Sequence, residues 1–268
     1  MLKNKQLIIA FLIIVGFSSC SEFSKVLNKG TSIEQYALAT DLYKAEKYNK
    51  SIQLFEKIIP AYRGKPQMER IQYMLSDAYY QTKNYLLAAY HFDRFTKNYA
   101  KSTKKESAAF LSAHSYYLSI PRASLDQSDT KTAIEAFQKF IDTYPASEKI
   151  IEANRYIQEM QFSLEQKAYD IAYQYYHTEN YKAAVVAFDN FLSDNLGSSF
   201  KEDALFYKSK AGYNLAMKSV ASKKEERIKL ALKTIKRLEY NFKETKYKNE
   251  IDKLRKNLKE ELVLISAS

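Results

Sequence analysis

The sequence predicts an all-α fold, a solenoid of about five helix pairs closed by a C-terminal capping helix. Two observations predict it. One spelling of small and aromatic residues recurs: Ala39, Leu42, Tyr48, Ser51 and Phe55, then Ser76, Tyr79, Tyr85, Ala88 and Phe92, and later Ala172, Tyr175, Tyr181, Ala184 and Phe188. Small residues stand where two helices must come close, and aromatics where a packed pair needs bulk; repetition on this scale marks a helical solenoid. The chain also has only five Gly and four Pro in 268 residues, too little turn chemistry for a many-stranded sheet.

The first twenty residues read as a targeting segment. Lys3 and Lys5 precede an apolar run of eleven residues, 7–17, short for a bilayer span but suited to a signal h-region. Ser18 and Ser19 then lead to Cys20, the single cysteine of the chain. This pattern resembles a bacterial lipoprotein signal, although Phe17 and Ser19 depart from the usual lipobox. It implies a signal peptide over 1–19 and lipidation of Cys20 by a diacylglycerol and a further acyl chain. Several acyl chains, at about 0.8 kcal/mol per buried methylene, give firm anchoring. The alternative is an ordinary secretory signal that leaves a free thiol. Ser21 after the cysteine implies sorting to the outer membrane. Residues 20–31 read as a short lipidated tether.

The repeats follow in order. Residues 32–63 form a first pair, with Leu38, Ala39 and Leu42 on one helix and Ser51, Ile52, Phe55, Ile58 and Ile59 on the next, both at helical spacing. Pro60, Gly64 and Pro66 end it. The second pair spans 69–100, and the intervals from Tyr48 to Tyr85 and from Phe55 to Phe92 are both 37 residues, close to the 34-residue tetratricopeptide period. The third, 106–145, carries an insertion between Ser119 and Thr130, which is functional or mere length variation. A long helical stretch over 148–178 runs into the first helix of the fourth pair, whose second helix is 181–194. The fifth pair, 201–221 and 225–240, has Ile235 where the aromatic stood before. A last amphipathic helix over 247–264 caps the stack with Ile251, Leu254, Leu258 and Leu262. The domain division follows: 32–147 with pairs one to three, and 148–268 with the bridging helix, pairs four and five and the cap.

The formal charge is +11, and about +9 once Lys3 and Lys5 are removed. Lysine and glutamate alternate along most helices, so the excess reads as a solvated surface rather than a nucleic-acid site, which export also contradicts. No catalytic constellation is spelled out. His91, His114 and His177 are scattered, there is no Gly-rich phosphate loop, and no metal or cofactor site is expected.

The repeat offers a groove instead. On the first helix of each pair, aromatics recur seven residues apart and share a face: Tyr36 and Tyr43, Tyr73 and Tyr80, Phe110 and Tyr117, Tyr169 and Tyr176. First helices line one side of a stacked array, so Tyr36, Tyr43, Tyr73, Asp77, Tyr80, Phe110, His114 and Tyr117 are the candidate partner-binding residues. An aromatic groove suits an extended peptide with alternating apolar side chains. Packing between neighbouring pairs is the competing role for Tyr43, Tyr80, Tyr117 and Tyr176.

Lipobox, five pairs, an insertion in the third and a long helix before the fourth together resemble the BamD family, the lipoprotein subunit of the outer-membrane β-barrel assembly machinery. The segments 36–58, 77–95, Tyr144-Pro145-Ala146-Ser147 and 172–176 carry the likeness. The resemblance implies an outer-membrane lipoprotein facing the periplasm, with a BamA-like barrel insertase and unfolded outer-membrane β-barrel proteins as partners. It implies substrate binding on pairs one to three and the insertase contact near 201–264. A second reading is a periplasmic scaffold lipoprotein that coordinates cell-wall synthesis or envelope constriction; 21–31 is too short for the coiled coil such proteins often carry.

Overall fold

The computed structural model describes residues 22–122 and 125–266, and every regular element among them is a helix. Residues 22–29 form α1. It is followed by α2 (Ser32–Lys44), α3 (Tyr48–Tyr62), α4 (Gln67–Gln81), α5 (Tyr85–Asn98), α6 (Lys105–Leu118), α7 (Ser128–Thr143), α8 (Ile150–His177), α9 (Tyr181–Asp194), α10 (Lys201–Met217), α11 (Ala221–Asn241) and α12 (Lys248–Ser266). The chain divides into two compact units at Gln158/Glu159, inside α8 rather than ahead of it at Ser147. The fold is an all-α array of tetratricopeptide-type pairs.

One rule builds every pair. The second helix carries a small residue, an aromatic or Ile four residues on, and a third apolar residue three beyond that. The series is Ser51, Phe55, Ile58; Ala88, Phe92, Phe95; Ala133, Phe137, Phe140; Ala184, Phe188, Phe191; and Ala231, Ile235, Leu238, all at most 2% exposed. These positions form one stripe of an α-helix. The first helices present Ala39, Ser76, Ala113, Ala172 and Ser209, also at most 1% exposed. Backbones therefore approach closely, and the Ser51 hydroxyl donates to the Ala39 carbonyl at 2.9 Å. In the fifth pair Gly212 faces Ala231, and a Cβ there would lie 3.3 Å from that of Ala231.

In unit one, α2 begins with a capping box: Thr31 Oγ1 accepts from Glu34 N at 3.3 Å, and Thr31 N donates to the Glu34 carboxylate at 2.7 Å. The turns inside pairs one, two and four share one geometry. Glu46, Lys83 and Glu179 are left-handed, with φ of 57°, 61° and 59°. In the first, Glu46 N donates to Tyr43 O and Lys47 N to Leu42 O, which is the Schellman closure; Lys83–Asn84 and Glu179–Asn180 repeat it.

Two expectations change. Residues 22–29 are a docked helix rather than a loose tether. Phe23 and Leu27 pack on the core of unit one, and the buried Gln35 amide donates to Val26 O at 3.2 Å and Leu27 O at 3.1 Å. Burying those two apolar side chains outweighs the freedom a tether would keep. Pro60 does not end α3; it lies inside the helix on an exposed face, and the chain stays helical to bury Tyr62. Gly64, with φ of 75°, is the real stop. The insertion after α6 is held by Gln127, whose amide donates to the carbonyls of Arg122 and Leu125, each at 3.1 Å. The signal segment and Cys20 lie outside the described residues.

In unit two, α10 and α11 pack as the fifth pair, and α12 lies against both. Ile251 and Leu258 are fully buried. Tyr247 stacks on Phe206 with ring centres 3.6 Å apart, and its hydroxyl donates to Asp203 at 2.7 Å.

Left-handed backbone costs a residue bearing a Cβ about 1–2 kcal/mol that Gly avoids, part of it returned through the more flexible unfolded chain. Lys83→Gly is therefore expected to stabilise the protein by about 0.5–1 kcal/mol in urea denaturation; a loss of stability would show that the turn is held another way.

Candidate functional site

The first helices of unit one, α2, α4 and α6, are joined to one another through tyrosine hydroxyls, and each joint spans 34 residues. Tyr43 donates to the Asp77 carboxylate. Tyr73 Oη and Ser107 Oγ are 3.3 Å apart. Tyr80 Oη and His114 Nδ1 are 2.8 Å apart. The seam runs on into the start of α8, where the Tyr156 ring lies 4.9 Å from His114 and 4.4 Å from Tyr117. Tyr156 also donates to Glu152 at 3.1 Å.

Each predicted residue has a definite place. Tyr36, Tyr43, Tyr73, Asp77, Tyr80, His114 and Tyr117 are half-buried, with rings or polar heads partly open. The two aromatics of each helix differ in role. The earlier one packs on its own second helix: Tyr73 lies edge-on to Phe92 and Phe95 at 5.8 and 5.4 Å, and Tyr169 in unit two repeats this on Phe188 and Phe191. The later one, Tyr43, Tyr80 or Tyr117, lies between neighbouring pairs. Phe110 departs from the expectation of an open groove residue. It is 6% exposed, wedged against Phe137 and Phe140, because lacking a hydroxyl it has no polar end to keep near water. Tyr36 lies 5.4 Å from Tyr62.

Sequence reasoning missed Tyr156, Glu152 and the lysines at the edge. Lys65, Lys104 and Lys149, each just ahead of a first helix, hold their ammonium groups 5.0, 5.5 and 5.1 Å from the Tyr62, Tyr73 and Phe110 ring centres. Such cations over ring faces are mutually favourable. The available signal was the position of each lysine immediately before a helix start.

Burial raises the Tyr43 hydroxyl far above its ordinary range, and the bond to Asp77 adds to it. Burial holds His114 below the ordinary imidazole range; Glu152 opposes this, while Arg155 and Lys149 reinforce it. The neutral ring can then share one hydrogen bond with Tyr80. Glu152 is lowered chiefly by its bond from Lys149. The result is a row of half-buried phenol and imidazole rings edged by lysines, able to receive apolar side chains on ring faces and carboxylates at the edge. Among the described residues no group of His, Cys, Asp and Glu could hold a metal, and no helix is long and apolar enough to cross a membrane.

The seam has two testable consequences. Tyr43→Phe removes the donor to Asp77 and is expected to cost about 1–2 kcal/mol in thermal or urea unfolding; a double-mutant cycle with Asp77→Asn should recover a coupling, and additivity would mean the bond contributes nothing. His114 has a folded-state pKa below its unfolded one, so the unfolded chain binds the proton first. Its contribution is full above about pH 6.5 and is lost as pH falls below that value. His114→Gln should therefore flatten the loss of stability between about pH 7 and pH 5; an unchanged slope would rule this group out as its source.

Comparison with known proteins adds to this geometry. A family described as YfiO, outer membrane lipoprotein, matches residues 28–165, more than half of the chain and the whole of the tyrosine seam. The outer membrane protein assembly factor BamD of Helicobacter pylori (strain ATCC 700392 / 26695) is 26% identical over 110 residues, 41% of this chain and 47% of that protein, so the chain spans about half the length of this relative. Two crystal structures of TPR-like repeats of a putative kinesin light chain from Podosopora anserina, one of them a point variant, are similar at 10% and 12% identity. They cover 79% and 81% of this chain and 96% and 94% of theirs, with TM-scores of 0.31 and 0.32, too low to bear on the fold.

Proposed function

The chain belongs to the YfiO family of outer membrane lipoproteins, and from that membership we propose that it is an outer-membrane protein assembly factor. In this reading it is anchored through lipid on Cys20, faces the periplasm, and binds unfolded β-barrel chains and a BamA-like insertase so that barrels fold into the membrane. It acts as a scaffold and not as an enzyme. The relative named an assembly factor supports the function. The observation that carries the substrate half is the seam of half-buried rings from Tyr36 to Tyr156, which lies within the residues the family covers.

The chemistry fits an extended client. Alternate side chains of a strand point to one face, so apolar ones can lie on Tyr36, Tyr80 and Tyr117 while polar ones face water. The lysines at 65, 104 and 149 would meet a terminal or acidic carboxylate. Unit two, with α10 to α12, is the surface proposed for the insertase. It is a separate compact body and carries exposed Tyr240, Val263 and Leu264.

Replacing Phe110 by Ala would open the core, so the test uses Tyr36→Ala with Tyr117→Ala, two half-buried rings, in a variant whose urea unfolding shows that it still folds. A fluorescent peptide with the aromatic C-terminal sequence of a barrel protein should bind the wild type and bind this variant about tenfold more weakly; equal affinity would reject the seam as the client site. Cys20→Ala should move the protein from the membrane to the soluble fraction, and retention would reject the anchor. Pull-down from solubilised outer membrane should recover a large barrel protein, whereas recovery of cell-wall synthases in its place would overturn the assembly role.

A further inference from the structure

Unit one has a second polar recess, away from the tyrosine seam. It is a cavity of about 510 Å³ between α3, α4 and α5. Its polar lining comes from three helices: Arg63 from the end of α3, Gln72 from α4, and His91, Arg94 and Asn98 from α5. On α5 these are spaced i, i+3 and i+7, which puts them on one face. Gly64, left-handed at φ of 75°, turns the chain directly after Arg63. No carboxylate lines the cavity.

The charges here lack a counterpart. Arg63 forms no ion pair among the described residues, and Arg94 donates only to the neutral Tyr90 hydroxyl, at 3.3 Å. Asn98 donates to Gln72 Oε1 at 3.3 Å, which leaves the Gln72 amide nitrogen as an uncommitted donor. His91 stacks on Tyr79, with ring centres 5.1 Å apart, and Tyr79 in turn donates to Glu56. The acids that reach this neighbourhood are Glu56, which favours the charged form of His91, and Glu69, which acts on Tyr99. Burial and Arg94 together hold His91 below the ordinary imidazole range. Two arginines facing one recess repel one another and disfavour the protonated form of His91 unless an anion joins them.

We propose that this recess is a phosphate-binding site. Its donors converge from three helices, which suits a tetrahedral oxyanion with oxygens in several directions better than a planar carboxylate with two. The surroundings suit an amphiphilic source. Ile59 and Met68 form the apolar wall, and Leu86, Leu87 and Tyr90, exposed by 60%, 47% and 52%, run along the outer face of α5 toward Arg94. The phosphate comes either from a phospholipid headgroup or from a free phosphate, and the two sources are separated by the test.

The mature chain with Cys20→Ala is used, so that no acyl chain contributes. With three histidines in the sequence, the imidazole resonances can be followed one by one, His91 being identified with His91→Asn. Inorganic phosphate should raise the His91 titration midpoint saturably, chloride at equal ionic strength should not, and His114 and His177 should stay unmoved. Arg63→Gln with Arg94→Gln alters only exposed side chains and should weaken binding about ten- to a hundredfold with unfolding unchanged. If inorganic phosphate is silent but phosphatidylglycerol vesicles bind and the same two substitutions abolish it, the headgroup is the source and the site stands. If neither probe distinguishes wild type from the double variant, the proposal is overturned.

Discussion

Each helix pair depends on one ring seated against one small residue. Phe55, Phe92, Phe137 and Phe188 are fully buried, and each lies one turn beyond Ser51, Ala88, Ala133 or Ala184. The small residue lets the two backbones approach, and the ring fills the space just beyond the contact. A fully buried aromatic of this kind stabilises by about 1.5–3 kcal/mol, and the close approach gives dispersion contacts that neither helix makes alone. In the fifth pair Ile235 replaces the aromatic and Gly212 faces Ala231.

That constraint leaves the first helices with a different problem. Their rings cannot all enter a core already filled by the second helices. The ones that remain between pairs are tyrosines, which bury a ring and keep a hydroxyl where a partner can be found. Tyr43, Tyr73 and Tyr80 find theirs on the next first helix, 34 residues on. Among the described residues no buried side-chain nitrogen or oxygen lacks a partner. The packing of the repeat and the candidate site are therefore the same set of side chains, seen from inside and from outside. The seam is built on helices rather than loops, so its rings are held in place before any partner arrives.

The fold was legible because its signals are local and repeated. Tyr48, Tyr85 and Tyr181 mark the starts of second helices. Where local reading went astray, a tertiary contact had decided. Pro60 looked like a stop, yet burial of Tyr62 kept the helix going past it. Residues 22–29 looked like a tether, yet Gln35 and the core of unit one captured them. At the site, periodicity placed Tyr36 through Tyr117 on one face but could not tell an open ring from a covered one. Phe110 went under α7, while His114, a candidate groove residue, became the centre of a ring cluster.

By itself the sequence determined the repeat and its period, because small-plus-aromatic spacing on a helix specifies which residues face a neighbour whatever that neighbour is. It also determined the family likeness, through the order of those repeats. Only the tertiary structure decided which rings of the seam remain accessible, since accessibility depends on the element packed above. It alone brought Tyr156 and Glu152 of α8 beside His114, across an insertion that breaks the 34-residue interval. And it alone gathered Arg63, His91 and Arg94 around one recess, because Arg63 does not hold the repeat position of His91 or Arg94 and meets them only when α3, α4 and α5 have packed.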